Sequence, residues 1–174
     1  DGGIDTGPIL LQKEIDIGPE DTTGSLYFNQ LFPMGIDAIV ESVALIQEGR
    51  APRTPQDESA ATYEPVCDDR VAAIDWSLDP HAVTNLIRGC DPQPGAYTLC
   101  KGEKVRMYGV KLFMEPHSGE PGSISKIDDS GIQVALRGAR VVISGVRPGK
   151  LGKLAASQWA KDMGLIPGSR LGEP

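Results

Sequence analysis

The sequence is poor in the residues that mark several common protein classes. Three cysteines, Cys67, Cys90 and Cys100, form no C-x-x-C pair and are odd in number, which disfavours a disulfide framework and a structural zinc site and favours a reducing compartment. Aromatic residues make up 5% of the chain, so any core relies on aliphatic side chains. No apolar run approaches the ~18 residues of a membrane-spanning helix. The first residues contain neither a Met nor a basic stretch followed by an apolar one, so no targeting signal is visible and a cytoplasmic location is expected. The opening Asp1-Gly2-Gly3 reads as a cut through a longer chain. Basic residues are also in the minority, 17 against 24 acidic, for a net charge of −7 in 174 residues.

What is present is ordinary globular material, 40% hydrophobic, with its charge unevenly divided. Residues 1–74 carry 4 basic and 14 acidic side chains, net −10, and residues 75–174 carry 13 and 10, net +3. Between the two parts, the Pro-rich, polar run Gly49 to Ser59 offers no apolar face and reads as an extended linker.

In the acidic part, Pro8–Ile17 starts apolar and ends alternating, which predicts a strand. Asp21 or Thr22 is placed to cap a helix that Pro33 must kink or restart. Ile36, Ile39, Val40, Val43 and Ile46 then form a helical stripe that Gly49 ends. In the second part, a short helix over Pro80–Arg88 precedes five β-like runs, at 96–101, 104–113, 122–127, 132–136 and 141–146. Turn chemistry separates them at Gly102-Glu103, Asp129-Ser130-Gly131 and Gly138-Ala139. Five short strands suggest a small barrel of the oligonucleotide-fold type, closed by a helix over Leu154–Met163.

The densest chemistry is Asp1-Gly2-Gly3-Ile4-Asp5-Thr6-Gly7-Pro8. Its glycines and Pro8 exclude a helix face. The segment is either a plain turn or a loop that displays backbone amides beside a carboxylate. Asp5-Thr6-Gly7 matches the aspartic-protease triplet, whose chemistry needs a second Asp from a repeat or a dimer, but only four residues precede Asp5 and the Pro-interrupted helices that follow do not suit an all-β protease. Gly145–Lys153 resembles a phosphate-binding loop with the wrong spacing and with Leu154 in place of Ser or Thr, so it reads as a basic turn before a helix. Arg147, Lys150 and Lys153 of that turn are nonetheless suited to a phosphate backbone. His81 and His117 stand isolated, without metal-ligand spacing. Trp76, Trp159, Tyr97 and Tyr108 fit packing roles.

Taken in order, Asp1 to Leu10, Pro55-Gln56, Ala61-Thr62-Tyr63, Ile74-Asp75-Trp76 and Ile87-Arg88-Gly89-Cys90-Asp91-Pro92-Gln93-Pro94-Gly95-Ala96 resemble the landmarks of the 10-formyltetrahydrofolate-dependent formyltransferases. The family includes methionyl-tRNA formyltransferases, the hydrolase part of 10-formyltetrahydrofolate dehydrogenase and sugar-amine formyltransferases. Leu31–Ile36 and Ile87–Gly89 look closest to the dehydrogenase type. The resemblance implies an α/β plus β chain. Residues 1–48 are then the tail end of a Rossmann-like catalytic domain, 49–73 a linker, and 74–174 a small oligonucleotide-fold-like barrel.

It also implies Asp5 as the catalytic aspartate, Asp1, Gly2, Gly3 and Ile4 as the folate-binding loop, and 10-formyltetrahydrofolate as formyl donor without a metal. Water, a small amine or initiator tRNA is the implied acceptor, and no membrane partner is implied. The family's Asn and His, in a His-Pro-Ser-Leu segment, have no counterpart here, so the 174 residues alone are expected to be inactive. A non-catalytic binding module is the alternative of another class.

Overall fold

The computed structural model describes residues 4–116 and 118–173. The chain divides into two compact units, Asp1–Val66 and Cys67–Pro174.

In the first unit, helix α1 (Thr23–Leu26) runs through a π-helical turn (Tyr27–Leu31) into α2 (Phe32–Gln47). The start is fixed by a capping box. Thr22 Oγ1 accepts the Ser25 N–H at 3.0 Å, and Ser25 Oγ accepts the Thr22 N–H at 2.9 Å. Asp21 adds to it by accepting from Gly18 N and from Ser25 Oγ, each at 2.8 Å. The restart expected at Pro33 is a widened turn: Phe32 donates five residues back to the Tyr27 carbonyl, and Pro33, which has no N–H to give, occupies the first turn of α2. The C-terminus closes on Gly49, at φ 67°. The Gly49 N–H reaches the Ile46 carbonyl at 3.1 Å and the Arg50 N–H the Leu45 carbonyl at 2.9 Å, which is a Schellman closure.

The strand expected over Pro8–Ile17 does not form. Its only ladder contact among the described residues is a single antiparallel bridge, Ile9 with Thr54, with hydrogen bonds of 2.8 and 3.0 Å. An apolar run becomes a strand only where a neighbour satisfies its amides, and no such neighbour is present in the first unit's described residues. The expected stripe on α2 is there, but it is uncovered: Ile39 and Val40 are 67% and 66% exposed.

The second unit holds the burial. Every buried apolar residue among those described falls between Ala72 and Leu171. Helix α3 (Pro80–Gly89) starts at Asp79, whose carboxylate accepts from His81 N at 2.9 Å, and turns Val83 and Ile87 inward. Strands β1 (Tyr97–Cys100), β2 (Glu103–Phe113), β3 (Ile124–Asp128), β4 (Gly131–Leu136), β5 (Ala139–Pro148) and β6 (Leu154–Ala155) form one antiparallel sheet in the order β1-β2-β5-β4-β3, with β6 on β5. The final helix α4 (Ala156–Asp162) contributes Trp159 and Ala160 to the core. Trp76 is also buried there, its indole N–H donating to Thr98 Oγ1 at 2.9 Å.

Three hairpins close with two-residue loops, as Cys100 pairs with Glu103, Asp128 with Gly131 and Leu136 with Ala139. The first loop, Lys101-Gly102, has both residues at positive φ, as a twist-matched tight reversal requires. Residues 67–73, which lie in the expected 49–73 linker, group with this unit: Ala72 is fully buried, and its carbonyl accepts the Tyr97 N–H at 2.8 Å. No described helix is long and apolar enough to cross a membrane.

Glycines at the two ends of β4 predict a contrast. Gly131 (φ 130°) lies against the Ile143 carbonyl oxygen, which a Cβ would overlap, whereas Gly138 (φ 69°) has open space. Gly138→Ala is expected to cost ~1 kcal/mol, the penalty of left-handed backbone, and Gly131→Ala more than ~2 kcal/mol. Urea unfolding of the two variants checks the order; equal losses would contradict it.

Candidate active site

Asp5 sits in the left-handed backbone region, φ 58°, uncommon for a residue with a Cβ and most tolerable for Asp or Asn. Such a conformation persists where its surroundings fix it. Here the fixing group is Gln56. Its side-chain N–H donors reach the Asp5 and Gly7 carbonyls, each at 2.7 Å, and so clamp the loop from 51 and 49 residues away. The Ile9–Thr54 bridge holds the same two chain segments together.

Around the loop lies a concavity of about 790 Å3, which includes Ile4, Asp5, Gln56, Thr62 and Tyr63 in its lining. That volume is in the range of small-molecule and cofactor sites, ~300–1,000 Å3. Ile4 and Tyr63, 90% and 88% exposed, present apolar surface to it. Asp57, Glu58 and Glu64 join Asp5 on its walls, so the lining is acidic and suited to a ligand that offers N–H donors. Asp57 is held below the usual carboxylate range by the Ser59 hydroxyl, at 2.6 Å, and the Ser59 N–H, at 3.0 Å. Among the described residues, no hydrogen bond or ion pair engages the Asp5 carboxylate; its backbone is fixed and its acid group is left available.

Of the expected folate loop, Ile4 lines this concavity, and Asp1, Gly2 and Gly3 lie outside the described residues. Gln56 and Tyr63, read in the sequence as landmarks without a role, line the same concavity as Asp5. Nothing in local patterning signals a contact across 51 residues; the place of Pro55-Gln56 in the ordered landmarks is the one pointer.

The other candidates resolve differently. Among the described residues, no three His, Cys, Asp or Glu side chains gather as a metal site. His81 is exposed in the first turn of α3, and His117 lies outside the described residues. The basic turn is the β5–β6 connection rather than a direct entry to a helix. Arg147 donates to the Pro94 carbonyl at 3.2 Å. Lys153 lies 3.4 Å from the Asp91 carboxylate and 3.6 Å from the centre of the Tyr108 ring. Both cations are therefore occupied within their own unit, and Lys150 is exposed.

The chain's residues 68–164 match the family model described as formyl transferase, C-terminal domain. The chain is 46% identical over 133 residues to the mouse mitochondrial 10-formyltetrahydrofolate dehydrogenase, an alignment spanning 76% of this chain and 14% of that protein. To the methionyl-tRNA formyltransferase of Moorella thermoacetica it is 35% identical over 169 residues, 97% of this chain and 54% of the relative. The chain thus spans about half or less of the relatives it matches. In fold it is similar to HypX from Aquifex aeolicus, solved in complex with tetrahydrofolic acid, with a TM-score of 0.74 over 93% of this chain and 28% of that one, at 21% identity.

Replacing Gln56 isolates the clamp. Two neutral, solvent-accessible hydrogen bonds are together worth ~1–2 kcal/mol, or about a tenfold change in local opening. Gln56→Ala is expected to speed amide exchange over Thr6–Ile9 about tenfold while β1–β5 stay protected. Unchanged exchange at Ile9 would contradict the clamp.

Proposed function

Because the chain belongs to the formyl transferase family, whose C-terminal domain occupies residues 68–164, we propose that it serves the transfer or hydrolysis of the formyl group of 10-formyltetrahydrofolate, with Asp5 as the acid–base residue. The observation that carries this reading is the clamped loop: an unengaged carboxylate on fixed backbone at the wall of a cofactor-sized concavity.

The lining fits a folate head group. Its carboxylates match the N–H donors of a pterin, Tyr63 offers a flat aromatic face and Ile4 an aliphatic one. Asp1, Gly2 and Gly3 complete the loop on this reading. When bound, 10-formyltetrahydrofolate supplies an electrophilic formyl carbon. Asp5 takes up the proton that the attacking water or amine must lose and returns it to the leaving nitrogen, which is general acid–base work. Gln56 keeps the loop backbone in place, so that the Asp5 carboxylate is positioned before the ligand arrives.

In this proposal the first unit is the tail of a Rossmann-like catalytic domain, and the uncovered stripe of α2 is the face that the rest of that domain buries. The second unit is an oligonucleotide-fold-like module: five consecutive short strands enclose one core, although the pairing path β1-β2-β5-β4-β3 leaves β1 and β3 unpaired to each other among the described residues. Activity accordingly belongs to a longer, cytoplasmic polypeptide, and the 174 residues alone are expected to be inactive.

Water as acceptor, the dehydrogenase-type hydrolase reaction, is favoured by the 46% identity to the mouse relative and by the net charge of −7. The reading with initiator tRNA as acceptor is supported by the alignment over 97% of the chain to a methionyl-tRNA formyltransferase. A tRNA-binding titration at graded salt separates them, since phosphate contacts give a steep salt dependence.

Asp5→Asn tests the central assignment in the full-length protein. It keeps the size of the side chain and removes the proton acceptor, so kcat for 10-formyltetrahydrofolate is expected to fall by roughly 100-fold or more with folding intact. Near-normal turnover would return Asp5 to a turn residue.

A further inference from the structure

Two thiols meet where the chain enters the second unit. Cys67 is that unit's first residue and is exposed; Cys90 caps the C-terminus of α3 and is 1% exposed; their sulfurs lie 3.7 Å apart. Spacing along the sequence, 23 residues with no C-x-x-C pair, had argued against a disulfide framework, and both thiols are free in this structure.

Both backbones are fixed without help from the sulfurs. Two residues beyond Cys67, Asp69 makes ion pairs of 2.7 Å with Lys104 and 2.8 Å with Arg106 on β2, and these cations hold its carboxyl below the usual range. The Asp68 carbonyl accepts the Val71 and Ala72 N–H groups, at 3.2 and 3.0 Å. On the other side, the Cys90 N–H donates to the Leu86 carbonyl at 3.0 Å, and its own carbonyl accepts from Gly95 at 2.8 Å. A disulfide bond is about 2.0 Å long, so the sulfurs need approach by less than ~2 Å, a movement within the reach of side-chain rotation at the exposed Cys67.

The geometry points to a reversible disulfide between Cys67 and Cys90, a redox modification site whose oxidant is a low-molecular-weight disulfide such as glutathione disulfide. The Cys67 thiolate attacks one sulfur of glutathione disulfide, whose S–S bond breaks and releases one glutathione thiolate. The Cys90 sulfur then attacks the Cys67 sulfur of the mixed disulfide. The second glutathione leaves as thiolate and takes up the proton that Cys90 gives up. Two protein thiols are oxidised and one glutathione disulfide is reduced to two glutathiones.

The order of the two thiols follows from their surroundings. Burial, reinforced by the contact with Cys67, pushes the Cys90 thiol well above the ordinary range, with the Arg106 charge opposing. The exposed Cys67 therefore reacts first and Cys90 resolves. The product staples the first residue of the second unit to the end of α3, closing the chain from 67 to 90. Cys100 is buried and has no sulfur contact among the described residues, so it serves as an internal comparison.

The test is to equilibrate the 174-residue chain in glutathione buffers from reducing to oxidising, alkylate the free thiols after denaturation, and map the peptides by mass spectrometry. The expected result is a Cys67–Cys90 cross-link lighter by two hydrogens, reversed by reductant, with Cys100 alkylated throughout. Cys67→Ser, at an exposed position, should abolish the cross-link and leave Cys90 alkylated; Cys100→Ser should leave the cross-link intact. A persistent mixed disulfide on Cys67 with Cys90 still alkylated, or cross-linking through Cys100 to the same extent, would overturn the assignment.

Discussion

Among the described residues, fully buried apolar side chains are confined to the stretch from Ala72 to Leu171, and this constraint separates two kinds of order in one chain. In the second unit, β2 and β5 pair over most of their lengths, from Val105 with Pro148 to Phe113 with Arg140. The helices α3 and α4 and the side chain of Trp76 pack into the core that this sheet bounds. Its cohesion is hydrophobic and cooperative. Among its described residues, the first unit has no comparable core. Its shape comes from a capping box, a Schellman closure, one β-bridge and the Gln56 clamp, each worth on the order of 1 kcal/mol.

That difference bears on function, because the candidate catalytic residue sits on the weaker half. Asp5 is held in an uncommon backbone conformation by hydrogen bonds to its own carbonyl and to that of Gly7. The side chain that makes them comes from a Pro-rich segment that composition alone would dismiss as a spacer. On the proposed reading, the uncovered α2 stripe and the open concavity have one origin, the remainder of a catalytic domain of which these residues form one wall.

Much of the second unit was legible because its determinants are local. Each of its three two-residue hairpins is set by residues inside or beside the turn, and the ends of the five expected runs fall within two residues of those of β1–β5. The α3 boundaries followed from Pro80 and Gly89 in the same way, and the α2 terminus from Gly49. Sequence reading failed where the outcome depends on a distant partner. Pro8–Ile17 has strand composition but lacks a neighbouring strand. Gln56 and Asp5 meet across 51 residues, and Cys67 and Cys90 across 23, with no periodicity to announce either contact. The role proposed for Asp5 rests on the ordered family landmarks, since Asp, Thr and Gly in a turn are by themselves ordinary.

The most direct measurement is a crystal structure of the full-length protein with a folate analogue that resists turnover. The account predicts the pterin in the concavity beside Ile4 and Tyr63, and the Asp5 carboxylate at ~2.6–3.2 Å from the N10 side of the ligand or one water away, the reach of a proton-transferring group. A folate seated away from the Asp5 loop, with that carboxylate facing bulk solvent, would contradict it.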